Sequence, residues 1–312
     1  MPAISPGSGR HFPARPPVDS PASLDLEQDV PQRRPPALPA LHIGMLGADT
    51  LVLARDNSMS INRRKFLEIA SSAVTASTIL TPAAAAADAK PAIRAIAFDG
   101  FPIFDPRPIF AMADELFPGR GTELSNVWRT RQFEYTWLRT AAQRYRDFLG
   151  IIDDALVFAG KSLDLEMTNE KRKALVNGYM HMKAWPDVKP ALSKLRDRGI
   201  RLAFLSNFSP AMLDANIYSA SLTEFFEHKL STDAVGVYKP HAKAYEMGIE
   251  AFGLKREEIL FTAFAGWDAA GAKSFGYPTF WVNRQKQPLE QLDAIPDGEG
   301  SGMDDLLKFL SY

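Results

Sequence analysis

The sequence has no cysteine and few histidines. The absence of cysteine excludes disulfide bonds, thiolate zinc sites and a cysteine nucleophile. The five histidines are scattered, and none is paired with another at the spacing of metal ligands on a helix. We therefore expect neither a metal site nor another bound cofactor.

A strong charge of one sign is also absent. The chain carries 36 basic and 37 acidic side chains, which gives a formal net charge of −1. Nothing in this balance indicates a nucleic-acid partner or binding to a membrane surface. The 312 residues are 46% hydrophobic and 23% charged, which is typical of a globular protein with one or two domains.

Residues 1–58 have no sustained apolar period, and ten of the 23 prolines lie within the first forty positions. Such a segment cannot bury a core of its own, so we predict a disordered proline-rich leader. Met59 follows it and is a candidate for the true start of the chain.

Residues 59–90 have the order of an export signal. Arg63 and Arg64 precede Phe66 and Leu67, a mild apolar run follows over 69–80, and alanines fill 83–87. This order predicts a signal peptide of the twin-arginine type and a periplasmic protein. The apolar run is too short to remain as a membrane span. The alternative is an ordinary basic amphipathic helix.

The stretch Ile93 to Phe98 is short and apolar except for Arg94, and Gly100 closes it. This pattern predicts a buried strand of a parallel sheet. Asp99 then stands at the carboxyl end of the strand, which is the edge where open α/β sheets bind ligands. The alternative is an aspartate that only turns the chain.

The segment 108–185 is helical in pattern and rich in aromatic residues, so we predict a helical cap inserted after the first strand. Asp105 and Pro106 fit the cap and first turn of its first helix. The core then comprises 91–107 and 186–312. It contains further strands at 200–205, near Lys229, at 259–264 and at 279–282, separated by helices such as 188–198 and 242–252. Alternating strands and helices predict an α/β fold with a doubly wound parallel sheet.

Polar residues recur where these strands end, and the predicted topology brings them to one edge of the sheet. Asp187 and Ser209 are interpreted instead as helix caps. Asp268 has a helix N-cap as its alternative role, and Arg129, on a predicted cap helix, could be a surface charge. The strand-end residues are Asp99, Ser206, Asn207, Lys239 and Asp268.

These residues, in this order and with a cap after the first strand, resemble the haloacid dehalogenase superfamily from Ile93 to about Leu310. Within it, the sequence is similar to the type II (S)-2-haloacid dehalogenases. The matching stretches are 128–139, Leu-Ser-Asn at 205–207, Tyr-Lys-Pro at 238–240 and Trp-Asp-Ala-Ala-Gly at 267–271.

The resemblance implies hydrolysis of short 2-haloacids through an ester of an aspartate. Asp99 matches the nucleophile, whose ionised carboxylate can displace a halide. Asp268 matches the residue that helps to activate the ester-cleaving water. Lys239 would offset the repulsion between these two carboxylates.

The resemblance also implies how the substrate is held. Ser206 and Asn207 would hydrogen-bond the substrate carboxylate or the departing halide, and Arg129 would lie over the leaving group. Phe101 and Trp267 are expected to contact the substrate. The implied partner is a small molecule, and a homodimer is possible, although nothing in the sequence specifies the oligomeric state.

Two alternatives differ in class. The phosphatases of the superfamily resemble one another in a second aspartate two residues after the nucleophile, where this chain has Phe101. The fourth motif offers the single acid Asp268, which argues against magnesium. A non-catalytic binding protein is the other alternative, because the first motif is one residue shorter than usual and alanines stand at 263 and 265 in place of serine and asparagine. The charged residues at the strand ends and in the cap are all retained, and a binding protein would have no need of them.

Overall fold

A computed structural model describes residues 92–311 of the chain. The predicted leader (1–58) and signal peptide (59–90) lie outside these residues. The periplasmic location depends on them and stays a prediction. Within residues 92–311, no helix has the length and apolar character needed to cross a membrane.

The core is one six-stranded sheet, with strands in the order β5, β4, β1, β6, β7 and β8. Every neighbouring pair is parallel. The strands are β1 (Ala95–Phe98), β4 (Arg201–Ser206), β5 (His228–Ser231), β6 (Ile259–Ala263), β7 (Thr279–Val282) and β8 (Gly298–Gly300). The predicted parallel α/β fold is therefore confirmed.

Nine α-helices accompany the strands in residues 92–311, and two short 3-10 turns lie at Thr232–Ala234 and Arg256–Glu258. The insertion after the first strand contains α1 (Arg107–Leu116), α2 (Gly121–Ala141), α3 (Phe148–Ser162) and α4 (Asn169–Gly178). The core contains α5 (Val188–Asp197), α6 (Pro210–Ser219), α7 (Ala242–Phe252), α8 (Gly266–Phe275) and α9 (Met303–Phe309).

Strand β1 is central because both of its faces are covered. All four of its residues are fully buried. Ile96 and Phe98 pack in one hydrophobic cluster, whereas Ala95 and Ala97 pack in another on the opposite face. This alternation follows from the period of two in a strand, and burial on both faces explains the continuous apolar run in the sequence.

The cap is joined to the core through a two-stranded antiparallel ribbon. Its strands are β2 (Phe104–Asp105) and β3 (Lys183–Ala184). The sequence pattern did not predict either strand, because two residues carry no periodicity. Trp128 anchors the inside of the cap: it is fully buried, and its indole nitrogen donates a hydrogen bond of 2.8 Å to the carbonyl of Ile152.

The helix caps agree only in part with the sequence predictions. Ser209 caps α6 as predicted, because its hydroxyl accepts from the amide of Met212. Asp105 lies in β2, and α1 begins after Pro106 rather than at it; the Asp105 carboxylate accepts from the amide of Arg107 at 3.0 Å.

Asp187 occupies the predicted N-cap position of α5 but does not cap the helix through its side chain. It pairs instead with Arg284 at 2.8 Å and accepts from the amide of Met303 at 2.8 Å, so that it links three separate segments of the core. A bidentate guanidinium partner competes better for this carboxylate than a helix amide does.

Candidate active site

The carboxyl ends of the central strands bring the predicted polar residues together. Asp99 directly follows β1 and Ser206 ends β4, and these neighbouring strands are parallel. Gly100 makes the turn after Asp99 possible, because a Cβ atom there would lie 2.8 Å from the ring of Phe208. The backbone thus turns sharply while Asp99 stays mostly buried, with 8% of the residue exposed.

Lys239 lies between the two acids. Its ammonium nitrogen is 2.8 Å from Oδ1 of Asp99 and 2.6 Å from Oδ2 of Asp268. The lysine is fully buried. The other Asp99 oxygen, Oδ2, accepts from the amide of Phe101 at 3.2 Å. A buried carboxylate requires such partners, and the arrangement keeps Asp99 oriented at the end of its strand.

The pKa values of this cluster reflect burial opposed by charge. Burial alone would lower the pKa of Lys239, but the carboxylates of Asp268 and Asp99 outweigh it and hold that pKa above its usual value. Burial raises the pKa of Asp268 to about 6, with Lys239 opposing the rise and Asp99 adding to it. Lys239 is therefore a fixed cation, whereas Asp268 can exchange a proton near neutral pH.

Tyr245 is a site residue that the sequence analysis missed. Its hydroxyl donates to Oδ1 of Asp268 at 2.7 Å, and its carbonyl accepts from Tyr277 at 2.6 Å. Tyr245 lies on α7 and is fully buried. A tyrosine on the apolar face of a helix is normally interpreted as a core residue. The only sequence signal for a role in the site was that Tyr245 lies on the helix that follows Lys239.

Asn207 and Ser206 are both buried but differ in position. Asn207 lines the hollow beside Asp99, and its Oδ1 accepts from the amide of Lys239 at 3.2 Å. Ser206 does not line that hollow; its hydroxyl accepts from the amide of Phe208 at 3.2 Å. Asp268 is the third residue of α8, and Ala265 holds the N-cap position, so the alternative role of Asp268 as an N-cap is wrong.

Two cavities meet at the site. A hollow of about 10 Å³ is lined by Asp99, Asn207 and Asp268 together with aromatic rings. A chamber of about 600 Å³ has Arg129 in its wall. The two cavities adjoin, because they share four lining residues. The shared residues are Phe101, Phe133, Ala265 and Trp267.

Arg129 lines the chamber, whereas Asp99 lines only the adjoining hollow. The Arg129 guanidinium lies over the ring of Phe110 at 5.1 Å and donates to Oδ1 of Asn126 at 3.1 Å. Its Nε is buried and has no hydrogen-bond partner within residues 92–311. The side chain is therefore half-buried, with its Nε enclosed and its contact with Asn126 exposed.

Trp128 and Tyr135, two aromatic residues on the same helix as Arg129, do not hold its guanidinium. Trp128 packs inside the cap, where its ring meets Tyr179 edge-on at 5.4 Å. Tyr135 lies near Arg131, at 5.8 Å, rather than near Arg129. Within the part of the chain that the structure describes, no three acidic, histidine or cysteine side chains are grouped so that they could hold a metal ion.

Comparison with known proteins identifies the family. The sequence model of the haloacid dehalogenase-like hydrolases matches residues 67–276. An (S)-2-haloacid dehalogenase of Pseudomonas sp. (strain YL) is 42% identical over 208 residues, which cover 66% of this chain and 90% of that protein.

Two solved structures share the fold. An L-2-haloacid dehalogenase, 40% identical, superposes with a TM-score of 0.70 over 71% of this chain and 100% of that one. The L-2-haloacid dehalogenase of Xanthobacter autotrophicus with chloropropionic acid covalently bound is 30% identical, with a TM-score of 0.65, and the match covers 70% of this chain and 98% of that one. The chain therefore belongs to the haloacid dehalogenase-like hydrolases.

Proposed function

We propose that the protein is a hydrolytic dehalogenase that converts 2-haloalkanoic acids, including short ones, into 2-hydroxy acids and halide. The observation that carries the proposal is the Lys239 ammonium bound to both Asp99 and Asp268 beside a hollow that adjoins an aromatic chamber. A pair of carboxylates held by one buried cation suits a nucleophile and a proton acceptor.

In the first step, a carboxylate oxygen of Asp99 attacks carbon 2 of the substrate. The new carbon–oxygen bond forms as the carbon–halogen bond breaks, and the bonding electron pair leaves with the halide. The Lys239 ammonium, 2.8 Å from Oδ1 of Asp99, orients the attacking carboxylate. The product of this step is an ester between Asp99 and the acid.

In the second step, water attacks the carbonyl carbon of that ester. Asp268 accepts the proton of the water, and its raised pKa, about 6, gives it useful basicity near neutral pH. The bond between the carbonyl carbon and the ester oxygen then breaks, and Asp268 returns its proton to that oxygen, so that the 2-hydroxy acid leaves. The proton remaining on the Asp99 carboxyl is lost to solvent, which restores the carboxylate. Tyr245 orients Asp268 through the hydrogen bond to Oδ1.

The remaining polar residues take binding roles in this proposal. The Nε of Arg129, buried and without a partner in residues 92–311, offers a charged donor to the halide or the substrate carboxylate. Asn207 lines the hollow and Trp267 lines both cavities, so they complete the cradle with Phe101. Ser206 acts through the backbone after β4, because its hydroxyl is bound to the amide of Phe208.

The relative with covalently bound chloropropionic acid supports an ester intermediate in a related fold. Retention of the buried charges favours an enzyme over a binding protein, since a buried ion cluster costs desolvation energy that mere packing does not need. Ala263 and Ala265 leave the second step to Asp268 and Tyr245, without the serine and asparagine of the usual motif.

The proposal is tested by one turnover in heavy-oxygen water with enzyme in excess over 2-chloropropionate. We expect unlabelled 2-hydroxypropionate from the first turnover and label in the Asp99 carboxylate by peptide mass spectrometry. Asp99→Asn is the control, and it should release no halide in the same single-turnover experiment. Heavy oxygen directly in the first product would mean that water attacks the substrate and that Asp99 is not the nucleophile.

A further inference from the structure

The chamber is larger than a short 2-haloacid needs. The hollow beside Asp99 holds about 10 Å³, whereas the adjoining chamber holds about 600 Å³. Sites for small ligands typically measure about 300–1,000 Å³ and are largely filled by the ligand. A substrate whose reacting carbon sits beside Asp99 must therefore extend into the chamber, and a two- or three-carbon acid would leave most of it empty.

Aromatic rings dominate the part of the chamber nearest to the reaction. Phe101 and Trp267 line both cavities, and Phe133 lies 5.3 Å from Trp267 between ring centroids. Phe110, whose ring lies under the Arg129 guanidinium, also lines the chamber. Rings arranged in this way offer edges and faces to another aromatic group and favour an apolar tail over a polar one.

The charges in the chamber restrict the tail further. Arg129 is the cation in the chamber wall that the substrate carboxylate or halide can meet. Glu290 also lines the chamber and lies beside Gly266, the first residue of α8. A Cβ atom on Gly266 would come within 2.8 Å of Cγ of Glu290, so the glycine leaves room for this side chain. A carboxylate of the protein in the wall disfavours a second carboxylate on the substrate. The tail that fits is uncharged.

The far wall of the chamber is the loop between β7 and β8. Residues 285 and 287–292 line it. Asn283 fixes the base of this loop, since its Nδ2 donates to the carbonyl of Gln287 at 2.8 Å and its Oδ1 accepts from the amide of Gln287 at 2.8 Å. Only the base of this wall is held in this way, because the lining residues 285 and 287–292 are all exposed and include three glutamines.

We propose that the preferred substrates are 2-haloacids with an aromatic or branched apolar group on carbon 3, of the class of 2-bromo-3-phenylpropanoate. This inference rests on the proposed function, because the reaction and its products are the same: the carbon–bromine bond breaks, bromide leaves with its electron pair, and hydrolysis of the Asp99 ester gives 2-hydroxy-3-phenylpropanoate. The chamber determines which acid is bound best.

The first experiment compares kcat/KM for 2-bromo-3-phenylpropanoate and for 2-bromopropanoate by bromide release. We expect the phenyl acid to be favoured at least tenfold. Equal values, or a preference for 2-bromopropanoate, would overturn the inference. Bromide from the short acid alone would overturn the inference and leave the proposed function standing.

A matched pair of variants tests the chamber itself. Leu289 lines the chamber and is 37% exposed, so Leu289→Trp adds bulk at the chamber wall. Ile295→Trp changes the same loop at a residue that does not line the chamber and is 68% exposed. We expect Leu289→Trp to lower the ratio of the two kcat/KM values, phenyl acid over 2-bromopropanoate, at least tenfold, and Ile295→Trp to leave the ratio within twofold of the unaltered protein. An unchanged ratio in Leu289→Trp would overturn the inference.

Binding without chemistry separates this inference from the proposed function. Unhalogenated 3-phenylpropanoate and propanoate cannot react, so calorimetry with the unaltered protein reports the chamber alone. We expect the phenyl acid to bind at least tenfold more tightly. Loss of all halide release with this binding preference intact would overturn the dehalogenase proposal and not the chamber. Equal affinities would overturn the chamber even if halide is released.

Discussion

The hydroxyl of Tyr245 donates a hydrogen bond of 2.7 Å to Oδ1 of Asp268, the oxygen that Lys239 does not hold. Both carboxylate oxygens of Asp268 are thus bound inside the core. The two donors oppose the effect of burial on Asp268, whose pKa still rises to about 6. Burial therefore has the larger effect on the pKa of this acid, and a lysine and a tyrosine from the same stretch of chain oppose it.

Tyr245→Phe should move the acid side of the pH profile. The hydrogen bond favours the ionised form of Asp268, so its loss raises the pKa of that carboxyl further. Asp268 must be ionised to accept a proton, so turnover is present above its pKa and is lost as pH falls through it, near 6 in the unaltered protein. We expect kcat/KM for 2-chloropropionate to decline from a higher pH in Tyr245→Phe. Tyr218→Phe, at a residue that is 82% exposed, is the control; coincident profiles for all three proteins would contradict the role of Tyr245.

Lys239→Met should remove both activity and stability. Without the ammonium, Asp99 and Asp268 lose the cation that holds them, and breaking a buried ion pair costs about 3–5 kcal/mol of unfolding free energy. Urea unfolding should show this loss, and halide release should fall below detection. Adding Asp268→Asn to Lys239→Met removes one of the two buried charges that have lost their cation. The double variant should recover part of the stability but none of the activity.

Lys308→Met is the control for that prediction, because its ion pair with Asp305 lies at the surface. Such exposed pairs contribute little to stability because solvent screens them. If Lys239→Met unfolds at the same urea concentration as the unaltered protein, the buried cluster does not hold the site together in the way that its distances indicate.

Halide release should be insensitive to EDTA. The Lys239 ammonium lies between the carboxylates of Asp99 and Asp268, at 2.8 and 2.6 Å, where a cation would otherwise balance them. Phe101 supplies only its backbone amide to Asp99, so that position offers no third carboxylate and no acid for a phosphate ester. We expect unchanged kcat and kcat/KM for 2-chloropropionate after exhaustive treatment with EDTA. Turnover that depends on added magnesium, or phosphate release from phosphate esters, would favour the phosphatase alternative.

The sequence predicted the core well because its signals are local. Buried strands appear as short apolar runs ended by glycine or proline, and the predicted strand at 279–282 and helix at 242–252 have the bounds seen in the structure. The strand-end residues could also be predicted to meet, because parallel topology brings Asp99 and Ser206 to one edge. The link from Lys239 to that edge came from the family resemblance.

Contacts between distant segments could not be read in the same way. The stacking of Arg129 on Phe110 joins two cap helices, although other aromatic residues lie nearer to Arg129 in the sequence. Asp187 was predicted to be a helix cap because it stands directly before a helix, yet its carboxylate pairs with a distant arginine, Arg284. Tyr245 has the periodicity of core packing, and its role depends on where α8 brings Asp268. Strand β8, with two glycines in three residues, has no apolar run to mark it.

The export signal remains a proposal about residues outside the described part of the chain. Arg63 and Arg64 precede the apolar run and the alanine-rich segment, as a twin-arginine signal requires. Replacing both arginines by lysine in the full chain should keep the precursor in the cytoplasm, as measured by cell fractionation and immunoblotting. Replacing Arg33 and Arg34 in the leader is the matched control. Unchanged fractionation of the first variant would show that the pair is not an export signal.

Arg129 should contribute to the barrier of halide departure rather than to the fold. The displacement develops negative charge on the leaving halide, and a fixed cation in a site shielded from water stabilises that charge more than solvent does. The guanidinium is held by Phe110 and Asn126, while its buried Nε has no partner in residues 92–311. Loss of one such donor costs about 3 kcal/mol of barrier. Arg129→Ala should therefore lower kcat/KM for 2-chloropropionate on the order of a hundredfold.

Arg129→Lys separates charge from geometry. Lysine keeps the positive charge but loses the planar fork and its stacking on Phe110, so we expect activity between that of Arg129→Ala and that of the unaltered protein. Arg131→Ala is the matched control, because Arg131 lies two residues along the same helix and pairs with Glu134. Circular dichroism should show the same helix content in all three variants. Near-normal turnover in Arg129→Ala would mean that the cap arginine does not meet the leaving halide and that another donor, such as Asn207, does.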